Sequence, residues 1–300
     1  MIEEKLVEEV VARTFENSSV YPAEDGLELM QRAYERETHD SAKKSLGTIL
    51  RNIEIAGEKH HTLCQTYATP AIFVELGTDV KIRGDFKEAL RNGCRLATEN
   101  GFLRPSIVEP LTRKQIGGNV GSHVPDIDVE IIGNADFLKI TTYCTTALPP
   151  SFVEILLPSQ IGKDAINISR MITEKVIEGG GMLCPPINLG IGVGGSLSTA
   201  AKLSKYASLR GWCTRNPDPQ IAQWEVDLLG YINRLGIGPF GLGGDTTALA
   251  VNIEIAHVHS ADLPVSVEYY CWACSLRRAS AKIDAKGKVT YLSAKKEMRG

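Results

Sequence analysis

The 300-residue chain lacks a surplus of basic charge: its formal net charge is −3 and no basic stripe stands out. That argues against nucleic acid or a membrane surface as partner. It also lacks an apolar run long enough to cross a bilayer. The N-terminus, MIEEKLVEEVVARTFENSS, is acidic and amphipathic, without the basic stretch and apolar core of a secretory signal. A cytoplasmic location is therefore expected. An even cysteine count is missing too. The seven are Cys64, Cys94, Cys144, Cys184, Cys213, Cys271 and Cys274. Without an export signal, an odd number disfavours a disulfide framework. Each is then a buried structural thiol or a ligand to a metal or cluster. Internal repeats and low-complexity tracts are absent as well.

What is present is the composition of an ordinary globular protein, and a length that suits one large domain with two lobes, or two domains. The reading adopted is one domain over residues 1–300. Its lobes are expected to be roughly 1–110, helical, and 111–300, mixed. Apolar residues at three and four spacing, Leu6, Val10, Val11 and Phe15, mark a helix over residues 2–15. Residues 24–38, 43–58 and 85–100 continue that style, with Gly101 as a C-terminal cap. AIFVELGT is apolar and β-prone. Residues 127–132 and 137–143 read as a strand pair turning at GNAD. Helices are expected at 161–178, from about Thr199, and at 220–235. The last strands are 265–271, 280–284 and 289–292, with DAKGK as a hairpin turn. Regular βαβ alternation is absent, so the fold class is α+β, with a helical N-terminal part and a mixed or antiparallel sheet.

Two glycine-rich turns stand out. GIGVGGS, at 190–196, follows a strand and opens a helix, as a dinucleotide fingerprint does. The acidic residue expected about 20 positions later is missing, which disfavours that reading. GPFGLGGDTTAL has no Lys-Ser/Thr pair and is not a phosphate-binding P-loop. Both turns could bring backbone N–H groups close to an anion, or they could simply be tight turns. Cys64, Cys184 and Cys271 each sit at the edge of a strand-like run. Cys271 and Cys274 have C-x-x-C spacing, but no second pair exists, so a structural zinc finger is disfavoured.

The stretches LCQ, LRPSIVEPLTRK, LCPPINLGIGVGG, GIGPFGLGGDTTALAVNIEIAHVHSADLP and CWACSLRRASAKI run in order along most of the chain. On them the chain resembles the α subunit, or N-terminal half, of the iron–sulfur hydro-lyases: class I fumarase and L-tartrate dehydratase. The resemblance implies a 4Fe–4S cluster on Cys64, Cys184 and Cys271. Three thiolates leave one iron open as a Lewis acid for a substrate hydroxyl and its carboxylate. It implies reversible hydration of a small dicarboxylate, of the fumarate/malate or tartrate type. Gln65 and Arg104 match substrate-contacting positions, and the Arg104 fork suits a carboxylate. Without that context Arg104 would read as a surface or ion-paired arginine. His259 matches an active-site histidine, with His257 as a competitor expected on the same strand face. The resemblance further implies a β-type partner subunit that completes the site, and a homodimer of this chain.

The pattern also breaks. The family motif Cys-Gln-Asp-Thr-Gly is here Cys64-Gln65-Thr66-Tyr67-Ala68, so Thr66 occupies the place of an acid–base aspartate. A hydroxyl titrates far from neutral pH and is a poor substitute on its own. Losing the glycine is expected to loosen the turn. YCTTALPPS, at 143–151, replaces a Lys-Gly-rich anion-binding loop, with Pro149 and Pro150 offering no N–H. IGGN, at 116–119, stands for TGDN. Two readings stay open: a hydro-lyase with a different substrate or a rebuilt acid–base group, and a catalytically weakened cluster-binding relative that scaffolds a partner. A redox or iron sensor is a third.

Overall fold

The computed structural model describes residues 1–66, 68–145 and 150–292. The chain forms two compact units, each assembled from separated stretches. The first uses Met1–Glu24, Asn52–Thr145 and residues 276–292. The second uses Asp25–Arg51 and residues 150–275. The fold is α+β, with mixed sheets in both units.

The first unit is built on a five-stranded sheet ordered Val289–Tyr291, Arg278–Asp284, Phe137–Thr145, Thr69–Gly77, Asp126–Ile132. Neighbours are antiparallel except the last pair, Thr69–Gly77 with Asp126–Ile132, which is parallel. The helix Glu4–Val20 packs on this sheet and on the helix Phe86–Glu99. It buries Val7, Val10, Val11, Thr14 and Phe15, a stripe at helical spacing. One expectation is corrected. Asp126–Ile132 and Phe137–Thr145 do not pair with each other, because Thr69–Gly77 lies between them. The residues beyond that strand claim the turn: Thr78 N–H donates to the Ile132 carbonyl (3.0 Å) and Asp79 N–H to that of Ala135 (3.0 Å). A short connection alone therefore does not make a hairpin.

The second unit carries a four-stranded sheet ordered Phe152–Leu156, Leu263–Tyr270, Ile187–Val193, Ala248–Ile255. Only the last two are parallel. The helices Ile166–Gly179 and Pro219–Asn233 contribute Ile168, Ile172, Val176, Ile221, Leu228 and Ile232 to its core. Strand residues Leu189, Ile191, Val251, Ile253, Val265 and Val267 complete it. Side chains alternate along a strand, so Gly190 and Gly192 face the other way. There the helix Leu197–Leu209 lies against bare backbone. A Cβ on Gly190 would sit 2.3 Å from the Ser204 carbonyl oxygen, and one on Gly192 2.0 Å from that of Ala200. These two glycines therefore serve helix–strand contact, which replaces the dinucleotide reading of GIGVGGS.

Glu225, fully buried, ties the same layer together. Its carboxylate accepts from Arg210 and from the backbone N–H groups of Ile253 (2.8 Å) and Asn216 (3.1 Å). A buried carboxylate persists only when paired and hydrogen-bonded in this way.

Gly192→Ala is expected to destabilise the chain by about 3 kcal/mol, the scale of overpacking against a fixed backbone. A lowered urea midpoint with an unchanged slope is the measurement; a midpoint like that of the natural chain would contradict the packing role.

Candidate active site

The helix Phe86–Glu99 ends where the backbone turns left-handed at Gly101 (φ 85°). The Gly101 N–H donates to Thr98 O (3.0 Å) and the Phe102 N–H to Ala97 O (3.0 Å). This is a Schellman cap, for which glycine is the favoured residue. It directs Phe102 and Arg104 into an open cleft of about 310 Å³, lined also by Thr62, Gln65 and Gly101. Gln65 and Arg104, far apart in sequence, thus share one cleft in the first unit, and both are exposed. Phe102 is braced edge-on by His60, whose ring centroid lies 5.4 Å away.

The Arg104 backbone is held by Asn119, a buried residue that sequence reasoning assigned no role. Its side-chain amide donates to the Arg104 carbonyl (3.0 Å) and to Thr98 Oγ1 (3.1 Å), and its Oδ1 accepts from Ser106 N–H (3.4 Å). The signal was the IGGN departure, whose last residue this is.

Cys64 and Thr66 lie on the irregular segment before the strand Thr69–Gly77, Cys64 half-buried and Thr66 exposed. Tyr67 lies outside the described residues, as do residues 146–149 of the altered loop, Pro149 included. Ala68, where the family motif has glycine, has a φ of 59°. The left-handed backbone there carries an alanine, at a cost of about 1 kcal/mol.

In the second unit, Cys184 closes the short 3-10 turn Gly180–Leu183 in left-handed backbone (φ 49°, ψ 57°) and is exposed. Cys271 sits between the strand Leu263–Tyr270 and the helix Trp272–Leu276. Trp272 N–H donates to the Cys184 carbonyl (3.2 Å), which brings the two cysteine backbones together. Cys274 N–H donates to Cys271 Sγ (3.4 Å). His259 is also in this unit, in an exposed turn where its Nδ1 accepts from Ala261 N–H (3.2 Å). In the neutral ring the proton then sits on Nε2. The strand Ala248–Ile255 ends before either histidine, so the shared strand face of His257 and His259 is corrected to a shared exposed turn. An unforeseen trio adjoins GGDTT. Buried Glu37 accepts from Asp245 N–H (2.9 Å) and Thr246 N–H (3.1 Å), and His39 approaches both carboxylates. Its evident work is to anchor that loop.

The seven cysteines form no disulfide with one another, and they differ in burial. Burial pushes the Cys94 thiol up to about 12, against the pull of Arg91 and Arg95. Cys213 is raised by desolvation and then by the Glu28 and Asp25 carboxylates, and its thiol faces Glu28 and the Asp25 carbonyl. Cys144 and Cys274 are buried. Cys64 and Cys271 are half-buried, and Cys184, like Cys213, is exposed.

The α+β fold and the relatives named below are those of a hydro-lyase subunit. The chain belongs to the fumarate hydratase (fumerase) family, which it matches over residues 8–282. Among its relatives is a Methanocaldococcus jannaschii protein provisionally named L(+)-tartrate dehydratase subunit alpha. It is 38% identical over 286 residues, covering 93% of this chain and 99% of the relative. The L(+)-tartrate dehydratase subunit alpha of Escherichia coli strain UTI89 is 30% identical over 282 residues, 92% of this chain and 90% of its own length. The strain K12 protein of the same name is 31% identical over 270 residues, covering 88% and 87%.

Iodoacetamide at about pH 8.5 is expected to label Cys184 first in the native chain and to leave Cys94 untouched, even when raised to about pH 10. Peptide mass spectrometry reads the order; labelling of native Cys94 at the rate of Cys184 would contradict its burial.

Proposed function

We propose that this chain is the α subunit of a hydro-lyase that reversibly adds or removes water on a small dicarboxylate of the fumarate/malate or tartrate type. The observation that carries the reading is the family match over residues 8–282; the three thiols that the motif resemblance assigns to the cluster are half-buried or exposed. Cys64, Cys184 and Cys271 would hold a 4Fe–4S cluster. When bound, that group supplies a Lewis-acidic iron with an open position for a substrate hydroxyl and carboxylate.

The chain's own residues take the remaining tasks. Arg104 presents a planar fork to a substrate carboxylate, and Gln65 offers an amide donor and acceptor in the same cleft. His259, with Nδ1 accepting from Ala261 N–H, presents its Nε2–H as a hydrogen-bond donor that orients a substrate oxygen. Thr66 hydrogen-bonds or orients, since its hydroxyl does not exchange protons readily near neutral pH. A β-type partner supplies further groups, as the relatives' name, subunit alpha, suggests, and two copies of this chain pair. Free thiols throughout suit a cytoplasmic setting. Among the described residues no helix is long and apolar enough to cross a membrane.

Thr66 favours one second reading: a cluster-binding relative with weakened catalysis that scaffolds its partner. Co-purification with that partner, without turnover of fumarate, tartrate or mesaconate by the loaded complex, distinguishes it.

Anaerobic reconstitution with ferrous iron and sulfide is expected to give a brown protein. Serine at Cys64, Cys184 or Cys271 abolishes the colour, whereas alanine at Cys94 or Cys213 retains it. A colourless natural chain without bound iron defeats the proposal. In the active complex, Arg104→Met is expected to raise KM by about tenfold or more, the worth of one hydrogen bond between charged groups. An unchanged KM removes Arg104 from substrate binding.

A further inference from the structure

Arg277 is among the largest fully buried side chains, with 1% exposure. It belongs to the first unit, between the helix Trp272–Leu276 and the strand Arg278–Asp284. One guanidinium nitrogen, Nη2, donates to the carbonyl of Cys64, and the other, Nη1, to the carbonyl of Thr66. A single planar fork thus spans the backbone on both sides of Gln65.

That segment needs such support. Residues 61–66 form no helix or strand, so their backbone groups have no ladder to join. Upstream, Leu63 is buried, its N–H donates to Ser19 O (2.8 Å), and its carbonyl accepts from the Asn52 amide (2.9 Å). Arg277 supplies the next two bonds. Burying a guanidinium is costly, and an apolar residue of similar volume often does as well or better for stability alone. Lysine would bring one point charge where two carbonyls require a fork. The residue type therefore fits a directional need at the Cys64–Thr66 segment better than a need for filled volume.

We propose that Arg277 is a positioning residue that fixes the Cys64–Thr66 backbone, and through it the aim of the Cys64 thiol and the Gln65 amide. The inference deepens the hydro-lyase reading, because it rests on the roles given there to Cys64 and Gln65. Nothing in the sequence motif singles out Arg277 from its neighbour Arg278. The pair of carbonyl contacts and the burial do so.

The test uses the full chain and two variants, Arg277→Met and Arg277→Lys. In the cluster-free protein, the iodoacetamide labelling rate of Cys64 is followed by peptide mass spectrometry, with Cys184 as internal reference. Loss of a charge-assisted hydrogen bond corresponds to about a tenfold shift in the loop's equilibrium. Arg277→Met is expected to speed Cys64 labelling to that extent and leave Cys184 unchanged. Arg277→Lys is expected to fall between it and the natural chain. In reconstituted protein, the same variants should shift the cluster's absorption and EPR signature at equal iron content. Cys64 labelling at the natural rate in a folded variant overturns the proposal, as does an equal rise at Cys64 and Cys184. Should Arg277→Met fail to fold, Arg277→Lys decides alone, by the same comparison. A natural chain that takes up no iron defeats the hydro-lyase reading, while the labelling comparison still judges the clamp.

Discussion

The antiparallel pairing of Ile187–Val193 with Leu263–Tyr270 is the constraint that sets the second unit's candidate residues in place. Its register sets Asn188 opposite Tyr270. The start of one strand therefore lies beside the end of the other, and Cys184 and Cys271, just beyond those ends, become neighbours. The Trp272 to Cys184 hydrogen bond completes the junction. Sheet register is strongly specified where both faces are buried, and every residue of Ile187–Val193 is buried. The bare glycine face under the helix Leu197–Leu209 reinforces it. A slip by one residue would drive the Leu189 or Ile191 side chain into the Ser204 and Ala200 carbonyls.

The first unit solves a different problem. Its candidate residues lie on irregular backbone, where neither ladder nor helix supplies order. Order comes instead from side chains that bond to main chain. Asn119 holds Arg104, Asn52 holds Leu63, and Arg277 holds Cys64 and Thr66. The capping glycine, Gly101, fixes the exit direction of the helix. Buried polar side chains are costly unless hydrogen-bonded, and here their bonds to main chain supply the order that a ladder would.

Much of the secondary structure was legible from periodicity. The helices near residues 4–20, 40–59, 86–99 and 219–233, and the strands near 69–77, 187–193 and 278–284, follow their apolar patterns. What was illegible depends on partners remote in sequence. Thr69–Gly77 slips between two strands that a local window reads as a hairpin. The first unit draws its strand Arg278–Asp284 from the far end of the chain, where it pairs with Phe137–Thr145, and local composition carries no trace of that choice. At the site, Cys64, Cys184 and Cys271 stood out through the family resemblance, and the cleft shared by Gln65 and Arg104 is a product of the fold. Asn119, Glu37 and Arg277 escaped notice because their work is done through backbone bonds, which leave no spacing in a sequence.

Ala68 has a consequence for how this corner can be altered. It holds a left-handed conformation that glycine would adopt without the steric cost, so the turn forms even with a side chain in it. Thr66, two residues before it, is exposed. An acidic side chain placed at position 66 would enter solvent and not a packed core, so the chemistry offered there is open to change by replacement of one side chain.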